Sequence, residues 1–145
     1  MIRALDRKTG LVKWEYDIRK DGEQSQFHGD PLVTDRLLVT GTDGKIGHVY
    51  AFERTTGAVL WKYKVNDRGV ASDFIRVRDE GCFVTLGNEL VCVDLESGKP
   101  KWSFRGNHSG IDDCLTCSSP AVSEGRVFFG GLDGFAYALD TRMES

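Results

Sequence analysis

Cys114-Leu-Thr-Cys117 is the sharpest local motif in the chain. A C-x-x-C pair can run thiol–disulfide exchange, one thiolate being stabilised by its neighbour, or it can supply half of a zinc site. A tetrahedral site needs two more donors, and His108, Asp112 and Asp113 stand just upstream. No second C-x-x-C is present. Ser118 follows Cys117, which breaks the haem-attachment spacing, and no helix start follows to lower a thiol pKa. The pair therefore reads as two loop thiols or a local disulfide pinning a loop, with metal and redox use as the alternatives. Cys82 and Cys92 flank a turn at Gly87-Asn88. A two-residue loop there sets Cys82 opposite Val93, so the two cysteines point to opposite faces and are expected to pack in the core unbonded. His28 and His48 are isolated, a calcium loop of DxDxDG type is absent, and the run at 76–80 reads as a solvated turn. No residue is assigned a catalytic, cofactor-binding or metal-binding role on this basis.

The frame that must position these groups is set first by size and composition. The chain has 145 residues and 16.1 kDa, room for one compact domain or a piece of a larger one. It is 40% hydrophobic and 28% charged, with a net charge of -3 and a pI near 5.6. That balance argues against nucleic acid as a partner, since such binding shows as a clustered basic surface. No apolar run is long enough for a membrane-spanning helix. The start, MIRALDRKTG, lacks the apolar core of a signal peptide, so no export signal is expected within the chain. Four cysteines are too few for a disulfide scaffold and leave the compartment open.

The chain repeats itself. ALDRKTGLVKW (4–14), AFERTTGAVLW (51–61) and VDLESGKPKW (93–102) align without gaps. In each, an acidic residue precedes a Gly by four positions and a Trp by eight: Asp6, Gly10, Trp14; Glu53, Gly57, Trp61; Asp94, Gly98, Trp102. A further copy opens at AYALDTRMES, with Asp140 in the acidic slot. The tryptophans stand 47 and 41 residues apart, a period shared by four-stranded propeller blades and by helical HEAT and armadillo repeats. Periodicity decides between them. Short β-rich runs recur, LWKYKV alternates large apolar residues with Lys62 and Lys64, and no window carries a 3.6-residue stripe. Asp-Gly and Gly-Asn turns punctuate the breaks.

The reading is all-β: two strands in 1–18, four in 28–66, four in 72–105 and three in 119–140, as blades of four antiparallel strands in one segment spanning 1–145. The polar joins at 19–29 and 105–118 are inter-blade loops. Gly supplies the left-handed turn, the acidic side chain accepts backbone N–H bonds across it, and the Trp covers the seam to a neighbouring blade. Burying each Trp contributes on the order of 2–4 kcal/mol.

The pattern A-[LF]-[DE]-x-x-[TS]-G-x-x-x-W, with GGLDGFAYALD at 130–140 and its looser relative GTDGKIGHVYAFE at 41–53, resembles the pyrroloquinoline-quinone-like (PQQ-like) β-propeller repeat. Two departures stand out: Ser72-Asp73-Phe74 lacks the proline seen at Pro31 and Pro120, and Cys92 replaces the alanine of Ala4, Ala51 and Ala138. The resemblance implies a propeller, and closed propellers take four to eight blades. About three blades make an incomplete ring, so the expectation is a fragment of a longer propeller or a self-associating module. The family includes quinoprotein alcohol dehydrogenases, the propeller lipoprotein of the outer-membrane assembly machinery and many repeats that bind no quinone. The expected function is a non-catalytic scaffold for protein–protein interaction, without a cofactor. The alternative is a segment of a PQQ-dependent alcohol dehydrogenase, with quinone and calcium on the propeller axis and an Asp as base. No residue here matches that site, and the vicinal cysteine pair of many such enzymes is absent. The resemblance also implies an extracytoplasmic parent.

Overall fold

The computed structural model describes residues 1–22, 25–44, 46–65, 69–87, 89–105, 119–131 and 134–141. Thirteen strands run through them: β1 (Ile2–Leu5), β2 (Val12–Tyr16), β3 (Gln26–Val33), β4 (Leu37–Asp43), β5 (Gly47–Glu53), β6 (Val59–Val65), β7 (Ile75–Val77), β8 (Glu80–Val84), β9 (Glu89–Asp94), β10 (Pro100–Arg105), β11 (Ala121–Ser123), β12 (Arg126–Gly130) and β13 (Ala136–Asp140). Every pairing is antiparallel between chain neighbours, giving four sheets of two, four, four and three strands. A short 3-10 helix, Ile18–Asp21, follows β2 and ends on Gly22 in the left-handed region.

The sheets stack face to face in chain order, and three apolar clusters fill the seams. Trp14, Ile18, Tyr50 and Phe52 join the first sheet to the second. Val39, Val49 and Ala51 of the second sheet meet Phe83, Val91 and Val93 of the third. Val84, Leu90 and the two buried cysteines of the third meet Val127 and Phe129 of the fourth. Central strands thus lie between two seams, which is why β5 is buried at successive positions while β6 and β10 alternate.

One expectation fails here. Cys82 faces Cys92 directly, with Cα atoms 4.2 Å apart, and a disulfide joins them. The hairpin closes at Thr85 and Glu89, where the Thr85 amide donates to the Glu89 carbonyl at 2.8 Å. Three positions therefore separate the paired residues Thr85 and Glu89, where the sequence reading assumes two. One extra residue shifts the register by one and moves a whole strand's side chains to the other face. The solvated-turn reading of 76–80 also needs correction. Arg78 and Asp79 turn in solvent, but Val77 is buried and Glu80, 7% exposed, opens β8 inside a seam.

Candidate functional site

The chemistry of this chain is concentrated at its seams, and one local unit builds two of the three. The acidic residue closes its own turn: the Lys8 and Thr9 amides donate to Asp6 Oδ1 at 2.8 and 2.9 Å, the Thr56 amide donates to Glu53 Oε2 at 2.8 Å, and the Ser97 amide donates to Asp94 Oδ2 at 2.9 Å. These bonds favour the charged form. The Thr55 hydroxyl, with Thr56, holds the Glu53 carboxyl down at about 2, the Thr9 amide lowers Asp6, and Ser97 lowers Asp94.

The turn so closed is a platform for the preceding sheet's tryptophan. Trp14 donates from Nε1 to the Arg54 carbonyl at 2.9 Å, and Trp61 donates to the Leu95 carbonyl at 2.8 Å; both carbonyls immediately follow the acidic slot of the next sheet. The indole lies on the glycine of that turn. A Cβ at Gly57 would stand 2.6 Å from Trp14 Cδ2, and one at Gly98 would meet the Trp61 ring in the same way. Both glycines have φ near +75°, so the left-handed turn and the flat contact ask for the same residue.

The third sheet departs from this rule. Its Trp102 donates to Glu80 Oε2 of its own sheet at 2.8 Å. Glu80 faces Asp94 at the register where Leu37 faces Glu53 in the second sheet, and the Cys82–Cys92 pair replaces Val39 and Ala51. Lys101 Nζ lies 3.8 Å from Glu80 Oε1.

The first strands of successive sheets converge at the other end of the seams. The Asp30 amide donates to Asp73 Oδ1 at 2.6 Å, and the Ser119 hydroxyl donates to Asp73 Oδ2 at 2.7 Å, so one carboxylate ties three sheets together. Asp30, Asp73 and Ser119 hold the same register in their sheets, one residue before Pro31, Phe74 and Pro120. Gly29, with φ of +76°, lets the β3 backbone approach Ser72 of the next sheet.

The stack has two uncovered faces. No indole sits on Gly10, which has open space above it, and Leu5, Leu11 and Val12 beside it are 56%, 69% and 50% exposed. At the opposite end, Phe128 pairs with Ala138 and Gly130 with Ala136, the register at which Val39 pairs with Ala51 and Gly41 with Val49. Val39, Ala51 and Val49 are fully buried by the third sheet, whose Val70 side chain lies against Gly41. Phe128 is 40% exposed at the edge of a cleft of about 340 Å³ lined by Ser119, Gly130, Ala136, Tyr137 and Ala138.

The family model described as "Outer membrane protein assembly factor BamB" matches residues 1–69 and 45–143. The chain belongs to the PQQ-like β-propeller repeat family. BamB from Moraxella catarrhalis superposes with a TM-score of 0.74 at 21% identity, over 91% of this chain and 38% of that one. The quinohemoprotein alcohol dehydrogenase ADHIIG from Pseudomonas putida HK5 follows at 0.64, with 22% identity over 78% of this chain and 19% of that one. A europium-containing methanol dehydrogenase gives 0.65 at 19% identity, over 82% and 24%. The serine/threonine-protein kinase AfsK of Streptomyces griseus is 25% identical over 96% of this chain but only 12% of its own length. The chain thus spans well under half of each of these relatives, and its sheets are propeller blades in an incomplete ring.

Of the residues singled out from sequence, Cys114, Cys117, His108, Asp112, Asp113 and Asp133 lie outside the described residues. His28 and His48 fall in different strands, β3 and β5. Among the described residues no helix is long and apolar enough to cross a membrane. The glutamate at position 80 was legible only as part of a charged run. The signal that could have found it is register: counted back from the acidic slot across the hairpin, it falls on a seam.

Three equivalent glycines give a graded test of the seam. In chemical denaturation, Gly57→Ala and Gly98→Ala should each cost roughly 2–4 kcal/mol, from left-handed backbone plus overpacking against the indole. Gly10→Ala should cost only about 1 kcal/mol, the backbone part alone. A second test concerns pH. Glu53 has a folded pKa near 2 against an ordinary 4.5, so its stabilisation is complete above 4.5 and is lost as pH falls toward 2. Urea midpoints measured across that window should fall more steeply for the wild type than for Glu53→Gln.

Proposed function

We propose that this chain is a non-catalytic propeller segment whose working surfaces are its two uncovered blade faces. Each would be covered by a further blade, from a longer chain or from a second copy, so that the segment contributes to a protein-binding scaffold. The observation that carries this reading is the register match at the open end. Phe128, Ala138, Gly130 and Ala136 occupy the positions that Val39, Ala51, Gly41 and Val49 occupy in a fully covered face. Covering the Phe128 side chain alone would contribute on the order of 1–2 kcal/mol, given how much of it is already shielded. The partners in this reading are proteins. Nucleic acid is not among them, on the net charge of -3, and the parent is extracytoplasmic, by kinship with an outer membrane protein assembly factor.

The second reading, a segment of a quinoprotein dehydrogenase, is favoured by the fold overlap with two such enzymes. Among the described residues none was matched to that enzyme site, and where the first strands converge the Asp73 carboxylate serves to join the blades, accepting from the Asp30 amide and the Ser119 hydroxyl. No cofactor enters the proposal.

Sedimentation equilibrium on the purified chain tests the scaffold reading. Mean mass should climb with concentration, and Phe128→Asp should return it to the monomer value while far-UV circular dichroism stays unchanged. A wild-type chain that remains monomeric throughout removes the second copy from the reading and leaves a blade of a longer chain as the cover. The dehydrogenase reading would instead give a shifted visible absorption on incubation with the quinone and calcium, together with dye reduction by alcohols. Neither is expected.

A further inference from the structure

The seam after the third blade holds a group of side chains that blade packing does not ask for. The second blade closes the equivalent seam with Leu37, Val39 and Ala51. At the same register the third blade carries Glu80, Cys82 and Cys92, and all three are buried: 7%, 0% and 0% exposed. One carboxylate oxygen and the two sulfurs lie within 4.8 Å of one another. Burying a carboxylate is costly unless it is paired and hydrogen-bonded. Here Trp102 donates to Glu80 Oε2, where Trp14 and Trp61 donate to backbone carbonyls, and Lys101 Nζ lies 3.8 Å from Oε1. The blade has thus exchanged three apolar contacts for two soft donors and one hard donor at a single point, with a cation nearby to balance the carboxylate.

Two thiolates and a carboxylate form a donor set suited to a thiophilic divalent ion, and three protein donors leave one tetrahedral position open. In the disulfide the sulfurs are bonded to each other and offer no thiolate. We propose that Glu80, Cys82 and Cys92 form a redox-gated site for one divalent cation of the zinc class, closed as the disulfide and opened by a thiol or phosphine reductant. Reduction adds two electrons and two protons, breaking the sulfur–sulfur bond and leaving two thiols as the reductant is oxidised. Cation binding then forms two metal–sulfur bonds and one metal–oxygen bond, and the two thiol protons pass to solvent. The two thiolates neutralise the ion, and Lys101 neutralises Glu80. The backbone already holds the site, because the facing positions belong to a paired hairpin whether or not the sulfurs are bonded.

The test uses the full chain carrying Cys114→Ser and Cys117→Ser, which removes the other thiol pair. After reduction with a phosphine under anaerobic conditions, it is titrated with Co2+. A thiolate-to-cobalt charge-transfer band should rise to saturation at one equivalent, be bleached by Zn2+, and be absent from the unreduced protein. Cys82→Val with Cys92→Ala, closely matching the pair at this register in the second blade, should keep the far-UV spectrum and lose the band. Glu80→Gln should keep the band but weaken binding by at least about tenfold. In the unsubstituted chain, reduced in the same way, Cd2+ should protect Cys82 and Cys92 from alkylation, read by peptide mass. No band at stoichiometric Co2+, an undiminished band in the Val/Ala variant, or equal alkylation of Cys82 and Cys92 with and without Cd2+ would overturn the site. Unchanged affinity in Glu80→Gln would remove the carboxylate from it.

Discussion

The contact between an indole and a left-handed glycine in the next blade is what the rest of the molecule depends on. A sheet of four short strands buries too little by itself, and only stacking gives it a second covered face. The stacking is fixed at its outer edge by Trp14 on Gly57 and by Trp61 on Gly98, each with its N–H anchored to a backbone carbonyl. That contact requires the turn to present its carbonyl outward and its glycine flat. The turn holds this shape because an ionised carboxylate gathers its amides. Charge, backbone conformation and apolar burial thus meet in eleven residues. A change in any one is felt across the seam, beyond the blade in which it occurs.

Because the seam is held at its edge, its middle tolerates variation. The second blade fills it with aliphatic side chains, and the third with a cross-strand disulfide and a buried glutamate. Trp102 compensates by taking that glutamate as its acceptor. At the other end of the seams, the Asp73 carboxylate joins three blades by accepting from the Asp30 amide and the Ser119 hydroxyl. Family resemblance identifies the frame and says little about such local exchanges, which is where a frame acquires individual chemistry. The BamB structure, a quinohemoprotein alcohol dehydrogenase and a methanol dehydrogenase share the fold with this chain at identities of 19–22%, and part of a serine/threonine-protein kinase is similar to it at 25%. The names of these proteins describe different activities, so the frame alone does not choose among them.

The all-β architecture, the four-stranded antiparallel blades and the incomplete ring were legible in the residues, because they rest on local rules. Asp-to-Gly and Asp-to-Trp spacings are short-range, and the alternation in LWKYKV reports one covered and one exposed side directly. The candidate site was not legible to the same degree. The Gly87-Asn88 dipeptide reads as a two-residue turn that puts Cys82 and Cys92 on opposite faces, and nothing local shows that Leu86 joins the loop. Glu80 was lost in a charged run because burial belongs to the register, and the register turns on that same one-residue count.

What the sequence determined by itself is therefore the repeating unit and its order along the chain. The physical reason is that turn chemistry and side-chain alternation act over fewer than a dozen residues. Only the tertiary structure decided which face each strand gives to a neighbour, and so which groups meet in a seam and which are left uncovered. Val39 and Phe128 hold the same register in their blades; one is fully buried and the other 40% exposed, solely because a third blade follows the second while no described blade follows the last. Burial at a seam is a property of two blades together, and no single repeat carries it.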